Sequence, residues 1–268
     1  MTSIQEDLVH EYFSEPISNW ACNTTLNIED ITSSLAQRIK IYLSNTLKCE
    51  VYELEELSES LPDSMLIEDL NYGVNKISNY MYDIIDEDSE FRTNYQKMVS
   101  CISRHLPFEN PCVQAIPTLR AHFTKDTFSL HPTWHSDLFL GHPIRMINVW
   151  IPFTKPCPKQ HHGFSLLPKD LCKKIVSSEF NDKQYYNWRD KKFIKDANYL
   201  KDAENVNILP GHALIFDSRV FHSSMPLTTQ LRFSMDIRFI DKTEIFNKSI
   251  IFKGNGRNAM LFDLENFY

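Results

Sequence analysis

His135 and Asp137 are separated by one residue, and both carry side chains that bind metal ions. In a β-strand successive side chains point to opposite faces, so residues two apart share a face. We therefore interpret His135 and Asp137 as two ligands of one metal site. A chain with ten histidines yields such a pair easily by chance, so the interpretation requires a third ligand.

The third ligand candidate is His222, which follows a Pro210-Gly211 turn and a mainly apolar strand predicted from Ala213 to Phe221. In a jelly roll, a strand that ends on a histidine can return that side chain to the first pair. Two imidazoles and one carboxylate leave one side of the ion open, which suits Fe(II) that also binds a co-substrate and O2. Zinc is the competing metal, although it occurs more often with three histidines or with cysteines.

Arg232 and Ser234 lie a short way beyond His222 and, being two apart, share one strand face. A guanidinium group with an adjacent hydroxyl can bind a carboxylate through two parallel hydrogen bonds. This pair matches the distal carboxylate of 2-oxoglutarate, whose 2-oxo acid end would chelate the iron. We predict 2-oxoglutarate as the co-substrate.

Four further residues are candidates for the pocket. Asn148 and Trp150 share a strand face; we predict Asn148 as an amide donor to 2-oxoglutarate, and Trp150 either lines the pocket or packs in the core. Arg120 interrupts an apolar strand and, if it points inward, needs an anionic partner such as a substrate. His142 either shapes a turn or contacts the substrate. We predict Arg120, His142 and Trp150 as substrate residues.

The elements before the candidate site are predicted to be helical. Apolar residues recur at helical spacing in three stretches, as expected of helices that bury one face against a partner layer. We expect residues 1–110 to form a helical N-terminal portion that packs on the core. The three stripes are Ile31, Leu35, Ile39, Leu43; Leu66, Leu70, Val74, Ile77, Met81, Ile84; and Phe91, Tyr95, Met98, Ile102, Leu106.

After Pro107 the sequence changes to short runs of β-branched and aromatic residues separated by turn formers, which is typical of an antiparallel β unit. We predict a mainly β fold in which a double-stranded β-helix core (a cupin-like jelly roll) spans residues 111–243 and is flanked by α-helices. Residues 244–268 are expected to form a C-terminal extension. The clearest strands are predicted at residues 113–123, 147–153, 213–221 and 232–240.

Residues 168–205 interrupt the strand series and are rich in charged and aromatic side chains. We interpret this segment as an insertion with some helix. Long insertions in compact domains are often functional, so it is a candidate lid, but a solvated surface excursion explains the composition equally well.

Composition limits the partners and the compartment. The formal net charge of -7 argues against nucleic acid, since such binding requires clustered Lys and Arg. The six cysteines lack zinc or disulfide-framework spacing, and no apolar run is long enough to span a bilayer. We expect a cytoplasmic protein with a small-molecule substrate and no integral membrane segment; its oligomeric state stays open.

Four stretches of the chain resemble the phytanoyl-CoA-dioxygenase-like oxygenases over roughly residues 113–240. They are RAHF from Arg120, HSDLFLGHP from His135, INVWIPFT from Ile147 and RFSMDIRF from Arg232. Within that group they look most like the carbohydrate-cluster branch, which includes the Kdo 3-hydroxylase and streptomycin-biosynthesis-type oxygenases. One departure concerns the substrate: the branch usually has Gly-Glu-Ile-Asn where this chain has Arg145-Met146-Ile147-Asn148.

The resemblance implies that His135, Asp137 and His222 bind iron and that Arg232 and Ser234 bind 2-oxoglutarate. It implies a dioxygenase that uses O2, converts 2-oxoglutarate to succinate and CO2, and hydroxylates a small polar or sugar-containing metabolite, such as a cell-envelope or antibiotic sugar. Asp137 favours hydroxylation over halogenation, because a halide needs the coordination position that the carboxylate takes. The alternatives are a hydroxylase of an amino acid, lipid or carrier-linked metabolite, and a non-catalytic jelly-roll binding protein.

Overall fold

In the computed structural model, the described residues form two larger antiparallel β-sheets, a separate two-stranded hairpin and a layer of helices. Statements about the structure concern the residues that it describes, which are residue 16 and residues 23–66, 68–69, 74–114, 116–122, 134–137, 145–155, 164–179, 197–224, 231–242 and 261–263.

The helices of the described residues lie mostly before the strands of the core. They are α1 Glu29–Leu47, α2 Leu57–Ser60, α3 Asp63–Leu66, α4 Lys76–Glu87, α5 Ser89–Ser103 and α6 Lys169–Glu179, with a 3₁₀ helix at Ala197–Asp202. The helix α5 begins at a capped end, because the Asp88 carboxylate accepts a hydrogen bond from the Phe91 backbone N–H at 2.8 Å.

The strands form a large sheet, a small sheet and a separate hairpin. They are β1 Thr24–Asn27, β2 Glu68–Asp69, β3 Val74–Asn75, β4 Pro111–Gln114, β5 Thr118–His122, β6 Trp134–His135, β7 Met146–Pro152, β8 Phe164–Leu166, β9 Glu204–Asn205, β10 His212–Asp217, β11 His222–Ser224, β12 Arg232–Asp241 and β13 Leu261–Asp263. The large sheet has the order β1-β10-β7-β12-β4-β13, with β5 also on β12, and the small sheet has the order β6-β11-β8-β9. The predicted jelly roll flanked by helices is confirmed.

The strand β12 shows how the large sheet separates its two faces. Its odd-numbered residues, Phe233 to Phe239, belong to the same buried apolar cluster as the helices α1, α4 and α5. Its even-numbered residues lie on the opposite face, and all but the last, the buried Ile240, are polar: Arg232, Ser234, Asp236 and Arg238. The helices therefore cover one face of the large sheet, and the other carries the polar candidates.

The helical stripes agree with the structure at α1 and α5, whose Leu35, Ile39, Phe91 and Tyr95 are fully buried. The middle stripe was wrong at Val74, which lies in a β-strand, whereas Leu66 ends the short helix α3 and Leu70 lies outside the described residues. Residues Glu68–Asp69 and Val74–Asn75 pair as a β-hairpin, and the helix begins only at Lys76. An apolar residue every third or fourth position does not distinguish a helix from a hairpin over so short a run.

Two of the predicted strands are broken in the structure. The run predicted at 113–123 is split between β4 and β5, which both pair with β12. The run predicted at 213–221 ends at Asp217, and a turn closed by the Val220 N–H to Asp217 carbonyl bond (3.0 Å) leads into β11. That turn moves the chain from the large sheet to the small one, so His222 lies on a different sheet from β10.

The domain limits 1–110, 111–243 and 244–268 stay predictions. Within the segment 168–205, α6 and the 3₁₀ helix agree with the expectation of some helix, whereas residues 180–196 lie outside the described residues, so its role as a lid stays open. None of the helices in the described part of the chain combines the length and the apolar character that crossing a membrane requires.

Candidate metal centre and co-substrate pocket

His135 and His222 are direct neighbours across an antiparallel strand pair. They occupy the same register position of β6 and β11, and their ring centroids are 4.4 Å apart. Directly opposed residues in an antiparallel pair project to the same face of the sheet. The pairing of these two short strands therefore brings two imidazoles together that are far apart in the sequence.

Asp137 completes the group from just beyond the end of β6. Its Oδ1 atom is 3.7 Å from His135 Nε2 and 3.8 Å from His222 Nε2. One ligand atom from each residue lies within 4.8 Å of the other two. Atoms bound to one ion at about 2.1 Å are at most about 4.2 Å apart, so both nitrogen–oxygen distances fit a shared ion. The donor set, two imidazoles and one carboxylate, fits Fe(II).

The orientation of His222 is set by the backbone that precedes it. Its Nδ1 atom lies 3.1 Å from the Val220 carbonyl oxygen, so Nδ1–H donates there and Nε2 keeps its lone pair for a metal. The turn before it is held by a buried ion pair in which Arg219 donates two side-chain hydrogen bonds to Asp217, at 2.9 and 2.8 Å. The His222 ring also packs against Phe216 and Phe164.

Arg238 contacts the metal-site carboxylate and was missed as a contact of this site. Its Nε donates to Asp137 Oδ2 at 3.1 Å, and its Nη1 donates to Gln114 Oε1 at 3.3 Å. One signal was present in the sequence. Arg238 shares the β12 face of Arg232 and Ser234, and a guanidinium on an inward face requires a carboxylate nearby.

The residues predicted for 2-oxoglutarate lie on this same polar face. Arg232 is buried, and burial lowers its pKa to about 10, with the charge of Arg120 acting in the same direction. Ser234 Oγ and Asn148 Oδ1 are buried and have no hydrogen-bond partner among the described residues. A carboxylate of 2-oxoglutarate would stabilise the buried charge of Arg232 and accept a hydrogen bond from the Ser234 hydroxyl. The Asn148 Oδ1 atom is itself an acceptor, so a contact of Asn148 with 2-oxoglutarate would have to come from its amide N–H, and it stays a prediction. The buried cation of Arg232 and the unpaired hydroxyl of Ser234 suit a carboxylate group such as those of 2-oxoglutarate.

The other three candidates have different outcomes. Arg120 points inward as expected, but its Nε donates to Asp236 at 2.9 Å, so this protein supplies an anionic partner itself. Trp150 is fully buried and stacks on Phe164 with centroids 4.6 Å apart, which is the core-packing alternative. His142 lies outside the described residues. Substrate contact by these three residues stays a prediction.

Comparison with known proteins gives one family and a set of similar folds. A family model described as Phytanoyl-CoA dioxygenase (PhyH) matches residues 68–234. No curated protein matches the sequence significantly.

Among solved structures, the epimerase SnoN in complex with Fe3+, alpha ketoglutarate and nogalamycin RO is 11% identical, with 97% of this chain and 94% of that chain covered and a TM-score of 0.44. AviO1 from Streptomyces viridochromogenes Tue57 is 13% identical, with coverages of 91% and 98% and a TM-score of 0.39. The carbocyclase SnoK from nogalamycin biosynthesis is 11% identical, with coverages of 89% and 90% and a TM-score of 0.40.

Proposed function

Because the chain belongs to the phytanoyl-CoA dioxygenase family of non-haem Fe(II)/2-oxoglutarate-dependent oxygenases, we propose that it hydroxylates a small polar or sugar-containing metabolite. The reaction consumes O2 and converts 2-oxoglutarate to succinate and CO2. His135, Asp137 and His222 hold the iron, and Arg232, Ser234 and Asn148 bind 2-oxoglutarate.

The convergence of His135 and His222 on two paired strands with Asp137 just beyond the end of β6 is the observation that carries this proposal. The three side chains are largely buried, with exposed fractions of 12%, 3% and 9%. Because both imidazoles face one carboxylate oxygen and the His222 tautomer is fixed by a carbonyl, the site is organised before any metal arrives. A carboxylate at this position favours hydroxylation over halogenation.

When bound, the iron supplies O2 activation and the oxidation of a substrate C–H bond. The residues of the chain supply the geometry. Arg232 holds the distal carboxylate of 2-oxoglutarate, and Ser234 donates its hydroxyl to the same group. Phe164 and Phe216 pack beside the His222 ring and keep water away from that side of the metal site.

The substrate class is supported by the resemblance to the carbohydrate-cluster branch. Arg145 stands where that branch usually has Gly, and Met146 where it has Glu. The loss of the acid removes one anionic contact, so we expect a substrate that differs from those of the branch in the group that the acid would bind.

The test begins with anaerobic addition of Fe(II) and 2-oxoglutarate, which should produce a weak visible charge-transfer band from chelation of the 2-oxo acid. A panel of sugars, nucleotide sugars, amino acids and acyl carriers is then screened for succinate release under O2. The product should gain one oxygen atom in the mass spectrum. A product of unchanged mass would indicate epimerisation, and a product lighter by two hydrogens would indicate ring closure; either result would contradict hydroxylation. If the folded, iron-loaded protein gives no band, the oxygenase function itself is refuted.

A further inference from the structure

The second oxygen of Asp137 has its own partner in the protein. Oδ1 faces the two imidazoles, whereas Oδ2 accepts a hydrogen bond from Arg238 Nε at 3.1 Å. We propose that Arg238 is a positioning residue that holds Asp137 as a one-oxygen ligand of the iron. This inference rests on the proposed function, since it concerns the same metal site.

The geometry decides how many coordination positions the carboxylate occupies. A carboxylate that turns both oxygens toward an ion takes two positions, and a 2-oxo acid and O2 together require three of the six in an octahedral site. With two histidines and one Asp137 oxygen, those three positions remain. Because the charge-assisted bond from Arg238 engages Oδ2 on the side away from the imidazoles, rotation of the carboxylate would break it.

Arg238 is itself held in place. Its Nη1 donates to Gln114 Oε1 at 3.3 Å, and Gln114 Nε2 donates in turn to Thr118 Oγ1 at 3.2 Å. The flanking residues Ile237 and Phe239 are fully buried against the helices, which fixes the strand on both sides of the arginine. The guanidinium is therefore oriented before the metal binds.

The two arginines of β12 have separate roles in this proposal. Arg238 lies about 20 Å further along the strand than Arg232 at roughly 3.3 Å per residue, which is too far for both to bind the same carboxylate. Arg232 is the predicted contact of the distal carboxylate of 2-oxoglutarate, whereas Arg238 positions Asp137, which would bind the same iron as 2-oxoglutarate.

The test is metal affinity in three variants of the full chain. Arg238→Gln removes the positive charge, and Arg238→Lys keeps the charge without the Nε donor. Gln114→Ala removes only the side chain that accepts from Arg238 Nη1. Arg38→Gln is the matched control: Arg38 donates through Nε to Asp88 in the helical layer, a half-buried pair away from the metal site. Fe(II) and Co(II) constants come from anaerobic competition with a chromophoric chelator, and apo-protein melting temperatures are measured alongside.

We expect Arg238→Gln to weaken metal binding by about 10- to 100-fold, which is the typical effect of replacing a residue that hydrogen-bonds to a metal ligand. Arg238→Lys should lie between it and the wild type, and Arg38→Gln should bind metal as the wild type does. The visible spectrum of the Co(II) form should also change in Arg238→Gln, because a rotated carboxylate alters the coordination number.

Unchanged metal constants and an unchanged Co(II) spectrum in Arg238→Gln would overturn the proposal, and a lowered melting temperature alone would make Arg238 a structural residue. If Arg238→Gln does not fold, Arg238→Lys decides by the same criterion. If the wild-type protein binds Fe(II) but shows no charge-transfer band with 2-oxoglutarate, the proposed function is refuted. The role of Arg238 in metal binding is then still decided by the metal constants of its variants.

Discussion

Replacement of Arg232 should separate co-substrate binding from metal binding. Its guanidinium is buried, and burial lowers its pKa to about 10. At pH 7 it is still cationic in all but about one molecule in a thousand. A hydrogen bond to a charged group contributes roughly 1.5–3 kcal/mol, and each 1.4 kcal/mol is about tenfold in a binding constant. Arg232→Ala should therefore weaken 2-oxoglutarate binding by about 10- to 150-fold.

Arg232→Lys keeps a positive charge and loses the planar fork, so its effect should be smaller at neutral pH but still about tenfold. The sign of the pH dependence follows from the charge. Because only the cation binds a carboxylate, wild-type affinity should fall as the pH rises through about 10. A buried lysine loses its proton more readily, so the Lys variant should lose affinity at lower pH.

The assay is a titration of the Fe(II) protein with 2-oxoglutarate under anaerobic conditions, read at the visible band, with the Fe(II) constant measured separately. Arg120→Lys is the comparison variant, since Arg120 lies on the same polar face but already donates to Asp236. An unchanged 2-oxoglutarate constant in both Arg232 variants would refute this assignment. A loss of affinity in Arg120→Lys alone would then make Arg120 the anchor.

Three further predictions concern the triad, the hydroxyl and the buried thiol. His135→Ala, Asp137→Ala and His222→Ala should each abolish the charge-transfer band and turnover while the circular dichroism spectrum is kept; full turnover in any one of them would show a wrong ligand. Ser234→Ala, which removes a buried hydroxyl, should raise the 2-oxoglutarate constant by about 2- to 12-fold, as expected for roughly 0.5–1.5 kcal/mol, and a wild-type titration curve would count against its contact with the co-substrate. Burial raises the pKa of Cys172 to about 12, so peptide mapping at pH 8 should show slower alkylation there than at the half-buried Cys49 and Cys101; equal rates would mean that the thiol is accessible.

The residues of the candidate site could be predicted because strand geometry is local. The period of two assigns Arg232 and Ser234 to one face of a strand, and the same period assigns Phe233 and Met235 to the core. The donor atoms of His135, Asp137 and His222, two imidazoles and one carboxylate, narrow the choice of metal ion without any knowledge of the fold. These inferences require only residue type, spacing and the direction of side chains.

The breaks within elements could not be predicted in the same way. The helix α4 begins at Lys76 because the residues before it pair with Glu68–Asp69, and β10 ends at Asp217, where the Val220 N–H to Asp217 carbonyl bond closes a turn that the buried Asp217–Arg219 ion pair stabilises. Both depend on which other segment or side chain is near. Apolar spacing in a short run is the same for either outcome.

The sequence by itself indicated which side chains could bind iron and a dicarboxylic acid, and it assigned Arg232 and Ser234 to one face of a strand. Only the tertiary structure decided their partners: His222 opposite His135, Arg120 on Asp236, and Arg238 on Asp137, the last a contact between residues 101 positions apart. The physical reason is that a strand fixes the direction of its own side chains, whereas the pairing and packing of two sheets fix which of those side chains meet.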